Sequence, residues 1–481
     1  MKNLQFVAES LKHKATSGIF WRLFEQGGRE IIQFVISVIL ARLIAPDQFG
    51  MIAMLAVFMA VANCFVDSGM GQALFRKKDR TQEDCSTVFW FSLVVAIVCY
   101  WILYFCAPLV SAFYGMQELT AILRVTSLSI IIGTLGAVNR MFLQIDLNFK
   151  VLAKCNITAL IISGALGVLL AYRGFKVWAL VYQNLTMTAI TTACIIAKVK
   201  WYPSFIFSKK SFKEFFIFGY KLLASSLLDT VYTNIYSITI GKFYRASDLA
   251  FYNRAQSLNK MTSSLPTGIL QSVTFPLLVN IQDNDDLLKN AYRRIIRISG
   301  FVIFPLCLGI GAVAYPLINT LYTETWIYAA TLLSIIVFSV MWYPIHAINL
   351  NYLIVKGRSD FFLKLEIIKK IQGVAILCVT IPMGLEAMCY GSILGSLLSL
   401  IWNTHYTGKY LKMTIIDQLR DLFPTLVLSG VMYAGARMVA HIMGNGLLSL
   451  ICSVLTGAAI YIGGALLFRF PEVKELRNLR K

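Results

Sequence analysis

Apolar stretches of about 20 residues recur from one end of this chain to the other, each long enough to cross a hydrocarbon core of roughly 30 Å as a helix. Fourteen can be delimited, at about 17–42, 49–68, 86–108, 119–139, 152–172, 177–197, 213–241, 247–280, 296–318, 326–352, 361–381, 385–407, 419–441 and 446–468. In lipid every backbone polar group must be satisfied within the segment, which leaves helices as the spanning structure for stretches of this length. Charged residues make up only 14% of the chain, against roughly 25% in soluble domains. The expectation is an all-α polytopic membrane protein of about fourteen transmembrane helices. The fourth stretch carries Arg124 and the eighth carries Arg254, Lys260 and Pro266, so twelve or thirteen spans are the alternatives.

With fourteen spans, the loops on the side of the N-terminus hold 32 of the 44 Lys and Arg. This asymmetry orients the chain with both termini in the cytoplasm. It also accounts for the net charge of +20 through basic loops facing anionic membrane lipids, with no nucleic acid needed. The N-terminus has no apolar region ahead of the first span and does not read as a cleavable signal peptide. The ten cysteines are scattered singly, in no metal-binding or disulfide spacing, and no cofactor is expected. There is no Walker motif for ATP hydrolysis. Connections are short on both sides, leaving no room for the outward-facing domain that a membrane polymerase or ligase would use.

The first span is unusual in carrying Arg22, Glu25, Arg29 and Glu30. A charge at mid-membrane costs about 2.5–3.5 kcal/mol on insertion scales, so four facing lipid would cost about 10 kcal/mol or more. At helical spacing Gly18, Arg22, Gln26, Arg29, Gln33 and Ser37 share about a third of the circumference, with Glu25 at its edge. That pattern is expected of a helix lining a hydrophilic path. Span seven repeats it with Lys221, Ser225, Asp229, Tyr232, Thr233 and Tyr236, and span eight adds Arg254.

A faint internal repeat relates the two regions. Ala41-Arg42-Leu43-Ile44-Ala45-Pro46-Asp47-Gln48-Phe49-Gly50 and Gly241-Lys242-Phe243-Tyr244-Arg245-Ala246-Ser247-Asp248-Leu249-Ala250-Phe251-Tyr252 share a base, a short turn, an Asp and an aromatic. Six spans separate them, so both copies enter the membrane from the same side, as expected of repeats related by an axis along the membrane normal. The corresponding division is an N-lobe over 1–211 (spans one to six), a C-lobe over 212–409 (spans seven to twelve), and spans thirteen and fourteen with a basic tail over 410–481.

The first of these repeats, together with Phe65-Val66-Asp67-Ser68-Gly69, Ser86-Thr87-Val88-Phe89-Trp90, Leu143-Gln144-Ile145-Asp146-Leu147-Asn148-Phe149-Lys150 and Trp178-Ala179-Leu180-Val181, carries a family resemblance. Phe251-Tyr252-Asn253-Arg254-Ala255, Phe275-Pro276-Leu277, Gly357-Arg358-Ser359-Asp360 and Leu363-Lys364-Leu365-Glu366 continue it. The chain resembles the polysaccharide transporters, the bacterial O-antigen and exopolysaccharide flippases of the multidrug/oligosaccharidyl-lipid/polysaccharide (MOP) exporter superfamily. It departs from the pattern at Ile145, where a base is common, and at Ala250, where Gly is usual.

The resemblance implies two six-helix lobes related by a pseudo-twofold axis, two further C-terminal helices, and a central cationic cavity opened alternately to each face. The substrate it implies is an undecaprenyl-diphosphate-linked oligosaccharide moved from the cytoplasmic to the outer leaflet of the bacterial inner membrane. Arg22, Arg29, Arg254 and Lys221 are then the candidate diphosphate-binding cations, because they place positive charge on the polar faces. Glu25, Glu30 and Asp229 are candidate cavity acids for proton or sodium coupling, with salt-bridge pairing as the competing role. Polymerase or synthesis machinery docking on the basic loops is a candidate partner. Ion-coupled multidrug efflux is the alternative within the superfamily, and a membrane polymerase or ligase is the opposed class.

Overall fold

The computed structural model describes residues 27–67, 69–411 and 413–478, and among them every regular element is helical. The helices are α1 (27–43), α2 (Pro46–Asp67), α3 (Met70–Arg76), α4 (Gln82–Tyr114), α5 (Glu118–Thr126), α6 (Leu128–Leu135), α7 (Ala137–Ile145), α8 (Phe149–Tyr172), α9 (Val177–Val199), α10 (Lys209–Thr233) and α11 (Ile235–Phe243). They continue with α12 (Ala246–Asn280), α13 (Asp285–Ala312), α14 (Ala314–Leu321), α15 (Ile327–Val340), α16 (Tyr343–Val355), α17 (Ser359–Thr380), α18 (Leu385–Leu411), α19 (Ile415–Met443), α20 (Leu447–Leu467) and α21 (Pro471–Asn478).

Ten helical stretches among the described residues are long and apolar enough to cross a membrane. Helical runs also lie over three of the remaining expected spans, at α10 with α11, α12 and α17, and over the described part of the first, at α1. These are the polar members of the set: α10 carries Lys221 and Asp229, α12 carries Arg254 and Lys260, and α17 carries Lys364, Glu366, Lys369 and Lys370. A count of fourteen is compatible with this arrangement.

Helix starts follow local chemistry. Thr81 and Asp84 form a reciprocal capping box at α4, and Thr414 and Asp417 form another at α19. Asn148, Ser208 and Asn284 accept N-terminal amides at α8, α10 and α13. Gly115 ends α4 in the left-handed region, where a side chain would be strained.

Prolines act in two ways. Pro344 sits in the first turn of α16 and marks a true break after α15. Pro108 and Pro305, by contrast, lie inside unbroken helices. A proline has no N–H for the carbonyl four residues earlier, which needs another donor. The Arg124 guanidinium supplies one to Tyr104 at 3.2 Å, and the Tyr461 hydroxyl supplies one to Phe301 at 2.7 Å. Arg124, the charge that made the fourth span doubtful, also lies 4.3 Å over the Tyr104 ring.

The chain divides into two compact units, Met1–Leu249 and Ala250–Lys481. The whole of α10 and α11 packs with the first unit, so this boundary falls after the seventh span. In unit 1, α8 and α9 form a close pair, α4 packs on α2, α5 and α6, and α10 lies on α2 and α3. Unit 2 is organised on α13, which packs against α19, α15 and α16, with α20 paired to α19. Ion pairs reinforce it: Arg293 makes a bidentate contact with Asp421 (2.7 and 2.5 Å), and Arg294 reaches Glu475 at 2.8 Å. Spans thirteen and fourteen are thus an integral part of unit 2.

The repeated motif has a structural counterpart. A two-residue turn, Ile44-Ala45, joins α1 to α2, and Tyr244-Arg245 joins α11 to α12. Each following helix has an Asp in its first turn, and Asp248 accepts the Arg245 amide at 3.1 Å. The two turns meet within unit 1: a Cβ placed on Gly50 would stand 1.8 Å from the Ala246 carbonyl oxygen.

Candidate functional site

Unit 1 encloses a cavity of about 1150 Å³, larger than the usual range of roughly 300–1,000 Å³ for small-molecule pockets. It extends along α2, α6, α7, α9 and α10 toward the end where α2 and α7 finish. Its walls carry polar groups at helical spacing. Asn63 and Asp67 lie one turn apart on α2, Arg140 and Gln144 on α7, and Asn184, Thr188 and Thr191 along α9. Ser226, Asp229 and Thr230 form the α10 wall, and Arg29 enters from α1.

Two close approaches hold α2 and α10 together beside the cavity. The Cys64 thiol and Thr230 hydroxyl are 3.0 Å apart. At the end of α2, Gly69 adopts φ +68°, and a Cβ there would lie 2.7 Å from the Gly219 carbonyl oxygen. Glycine is required at this position both by the backbone and by the neighbour. This packing sets Asp67 at the cavity mouth, within electrostatic reach of Arg140.

Among the described residues the cavity carries two bases, Arg29 and Arg140, and two acids, Asp67 and Asp229. The other polar groups among these lining residues are amides, hydroxyls and the Cys64 thiol, and among the described residues Phe75 is the one aromatic. Such a surface offers donors and acceptors in place of water, and charge of either sign for an ionised group. Among the described residues no three His, Cys, Asp or Glu side chains converge as metal ligands.

Of the residues singled out by sequence, Arg29 and Asp229 are brought together in this cavity. Lys221 is exposed on a different face of α10 from the lining residues Leu222 and Leu223, with its ammonium 5.9 Å from the Tyr220 ring. Glu30 is half-buried and is not among the lining residues. Arg22 and Glu25 lie outside the described residues. Arg254 belongs to unit 2, where its guanidinium lies 4.7 Å from the Tyr322 ring and 5.0 Å from the Trp326 ring. Aromatic packing, rather than an open polar wall, surrounds that cation.

The cavity, with its polar wall groups, thus lies among apolar helices. Residues 39–331 match the family model described as "Polysaccharide biosynthesis protein". The chain belongs to this family. Known proteins similar to it include the teichuronic acid biosynthesis protein TuaB of Bacillus subtilis, 24% identical over 73% of each chain. The succinoglycan biosynthesis transport protein ExoT of Rhizobium meliloti is 22% identical over 67% of this chain and 66% of its own. The lipopolysaccharide biosynthesis protein WzxC of Escherichia coli is 22% identical over 82% of this chain and 80% of its own.

Among solved structures the fold is shared with the lipid II flippase MurJ in its inward closed conformation. That match has a TM-score of 0.75 at 14% identity and covers 94% of this chain and 99% of MurJ. An inward-facing MATE-family multidrug transporter of the MOP superfamily matches with a TM-score of 0.62 at 14% identity, over 80% and 96%. The chain is therefore a multi-pass membrane protein of the polysaccharide biosynthesis protein family, with a MurJ- and MATE-like fold.

The sequence reading did not single out Arg140 or the wall amides as candidate site residues, and Asp67, at the end of the second span, reads there as a local cap or pair. Arg140 directly follows the fourth expected span, 119–139, where a base reads as part of a basic loop. The signal was nonetheless present. Asn63 with Asp67, Arg140 with Gln144, and Asn184 with Thr188 each repeat at i,i+4, the criterion that marked spans one and seven.

Proposed function

We propose that this protein is a flippase that moves an undecaprenyl-diphosphate-linked oligosaccharide from the cytoplasmic to the outer leaflet by alternating access. The observation that carries the reading is the wide amide- and hydroxyl-lined cavity of unit 1 in a chain of this family. Translocation of a lipid-linked glycan breaks no bond. The polyprenyl tail stays in lipid, while the glycan and diphosphate need a route that replaces their water. Asn and Gln amides with Ser and Thr hydroxyls supply that exchange for sugar hydroxyls. Arg29 and Arg140 offer planar donor forks to the diphosphate oxygens, with Arg22 as a further cation on the face of Arg29.

The chain acts as a transporter and not as an enzyme in this reading, and both termini lie in the cytoplasm with the basic loops. With the interior negative, outward passage of each uncompensated negative charge is favoured by roughly 2.3 kcal/mol per 100 mV. Asp229, with Glu25 and Glu30 on the first span, is the candidate coupling site for a proton or sodium ion. Polysaccharide polymerase machinery is the candidate protein partner. Efflux of cationic drugs would favour a cavity rich in carboxylates and aromatics, whereas among the described residues two bases, two acids and a single aromatic ring line this one.

The test is translocation of a labelled undecaprenyl-diphosphate oligosaccharide in proteoliposomes. Transport by the wild type that drops sharply in Arg29→Ala and Arg140→Ala supports the reading. Absence of wild-type transport across several glycans, with and without ion gradients and membrane potential, overturns it.

A further inference from the structure

The segment joining α9 to α10 is an extended strap over residues 201–208, tied across the first turns of α4. Trp201 donates its indole N–H to Gln82 at 2.6 Å, and Gln82 donates back to the Tyr202 carbonyl at 2.9 Å. The Trp90 indole donates to the Ser204 carbonyl at 2.8 Å. The Ser204 amide donates to the Ser86 hydroxyl and the Ser208 amide to Thr87, each at 3.0 Å. A segment with its polar groups satisfied in this way is held in one shape.

The strap turns its apolar side chains outward. Tyr202 is 64% exposed, Phe205 94%, Ile206 49% and Phe207 50%. The Phe205 ring stacks at 5.2 Å on Trp90, so its exposed position is set by packing. Around this cluster stand Lys198, Lys200, Lys209, Lys210 and Lys213, with Glu83, Asp84 and Glu214 as the neighbouring acids. The apolar surface continues up α10 through exposed Phe216, Ile217 and Tyr220. An aromatic ridge flanked by lysines, at the end of a membrane helix and continuous with its apolar face, matches the headgroup layer of a bilayer. Lysines at such a surface favour anionic headgroups over neutral ones.

We infer that the 201–208 strap with Lys209, Lys210 and Lys213 is an anionic-phospholipid binding site that anchors the start of α10 at the membrane surface. The consequence reaches the cavity, because the same helix carries Ser226, Asp229 and Thr230 into its wall. Lipid bound at the strap fixes the register of that wall against the membrane.

The test uses the full-length chain in vesicles of equal parts phosphatidylglycerol and phosphatidylethanolamine, with a photoreactive benzoylphenylalanine in place of Phe205. The expected result is phospholipid adducts enriched several-fold in phosphatidylglycerol, with the enrichment lost in the Lys209→Gln, Lys210→Gln, Lys213→Gln combination. In the chain without the photoprobe, phosphatidylglycerol should raise the thermal transition in detergent, and the triple substitution should remove that rise. Adducts to a protein or to a second copy alone, or a headgroup ratio unaffected by the lysines, overturn the inference. Neither readout involves glycan transport, so each outcome is separate from the flippase reading.

Discussion

The Tyr461 hydroxyl donates to the Phe301 carbonyl at 2.7 Å, and Phe301 is the residue whose carbonyl Pro305 deprives of its helical partner. A proline within α13 is thereby accommodated without a break, through a donor carried by α20. Arg124 does the same in unit 1, donating at 3.2 Å to the Tyr104 carbonyl left open by Pro108. In both places a tertiary contact, not the local sequence, decides that the helix continues.

Tyr461→Phe removes the donor and leaves a buried carbonyl without a partner, which costs about 1–3 kcal/mol. The cost should shrink in a Pro305→Ala background, where the helix can satisfy Phe301 itself. Thermal unfolding of the two single variants and the double variant in detergent measures the coupling. Equal losses from Tyr461→Phe in both backgrounds would show that the hydroxyl does not serve this carbonyl.

Gly50→Ala should destabilise unit 1 by about 1–3 kcal/mol, at the upper end because the obstructing atom is backbone. The ideal Cβ lies 1.8 Å from the Ala246 carbonyl oxygen, so one of the two repeated turns must move. Gly69→Ala adds the strain of φ +68° to its clash with Gly219. Gly430→Ala in α19 meets nothing within 4 Å and should be neutral or gain up to about 1 kcal/mol. Thermal unfolding ranks the three.

Much of this architecture was legible because membrane spans are written in a single long-range signal, continuous apolarity, that tertiary contacts rarely override. The repeat at Asp47 and Asp248 also survived as geometry, since both turns have the same length. The site was legible only in part. Arg29 and Asp229 sit on polar stripes, but Lys221 lies beside Leu222, one residue and about 100° from the wall, and a stripe a third of a turn wide blurs that difference. Arg254 reads as a path cation in sequence, yet Tyr322 and Trp326, distant along the chain, close over it. Only the fold reveals such partners.

The loop after α3 carries a pH-sensitive contact. Lys77 is 2.9 Å from Asp84, and that hydrogen bond holds its ammonium above the usual lysine range. A raised folded-state value means the contact's stabilisation is complete below the unfolded lysine value of about 10.4 and is lost as pH rises through the folded value. Wild-type thermal stability should therefore fall in the alkaline range by more than that of Lys77→Met. Superimposable alkaline profiles would remove the contact from the stability of this end of α4.

Transport should separate the wall of the cavity from the rest of the polar faces. Under the proposed flippase function, Arg29→Ala and Arg140→Ala should each remove a charge-assisted donor to the diphosphate, a loss of about 1.5–3 kcal/mol, or roughly tenfold to hundredfold in transport rate. Lys221→Ala removes an equal charge from a side chain that does not line the cavity and should stay within about twofold of wild type, a difference of under 0.5 kcal/mol. Asp229→Asn keeps the size of the wall residue while abolishing its ability to ionise. If Asp229 is the coupling group, this variant should retain substrate binding and lose the response of transport to an imposed ion gradient. Binding and gradient response falling together would instead place Asp229 in the substrate contact.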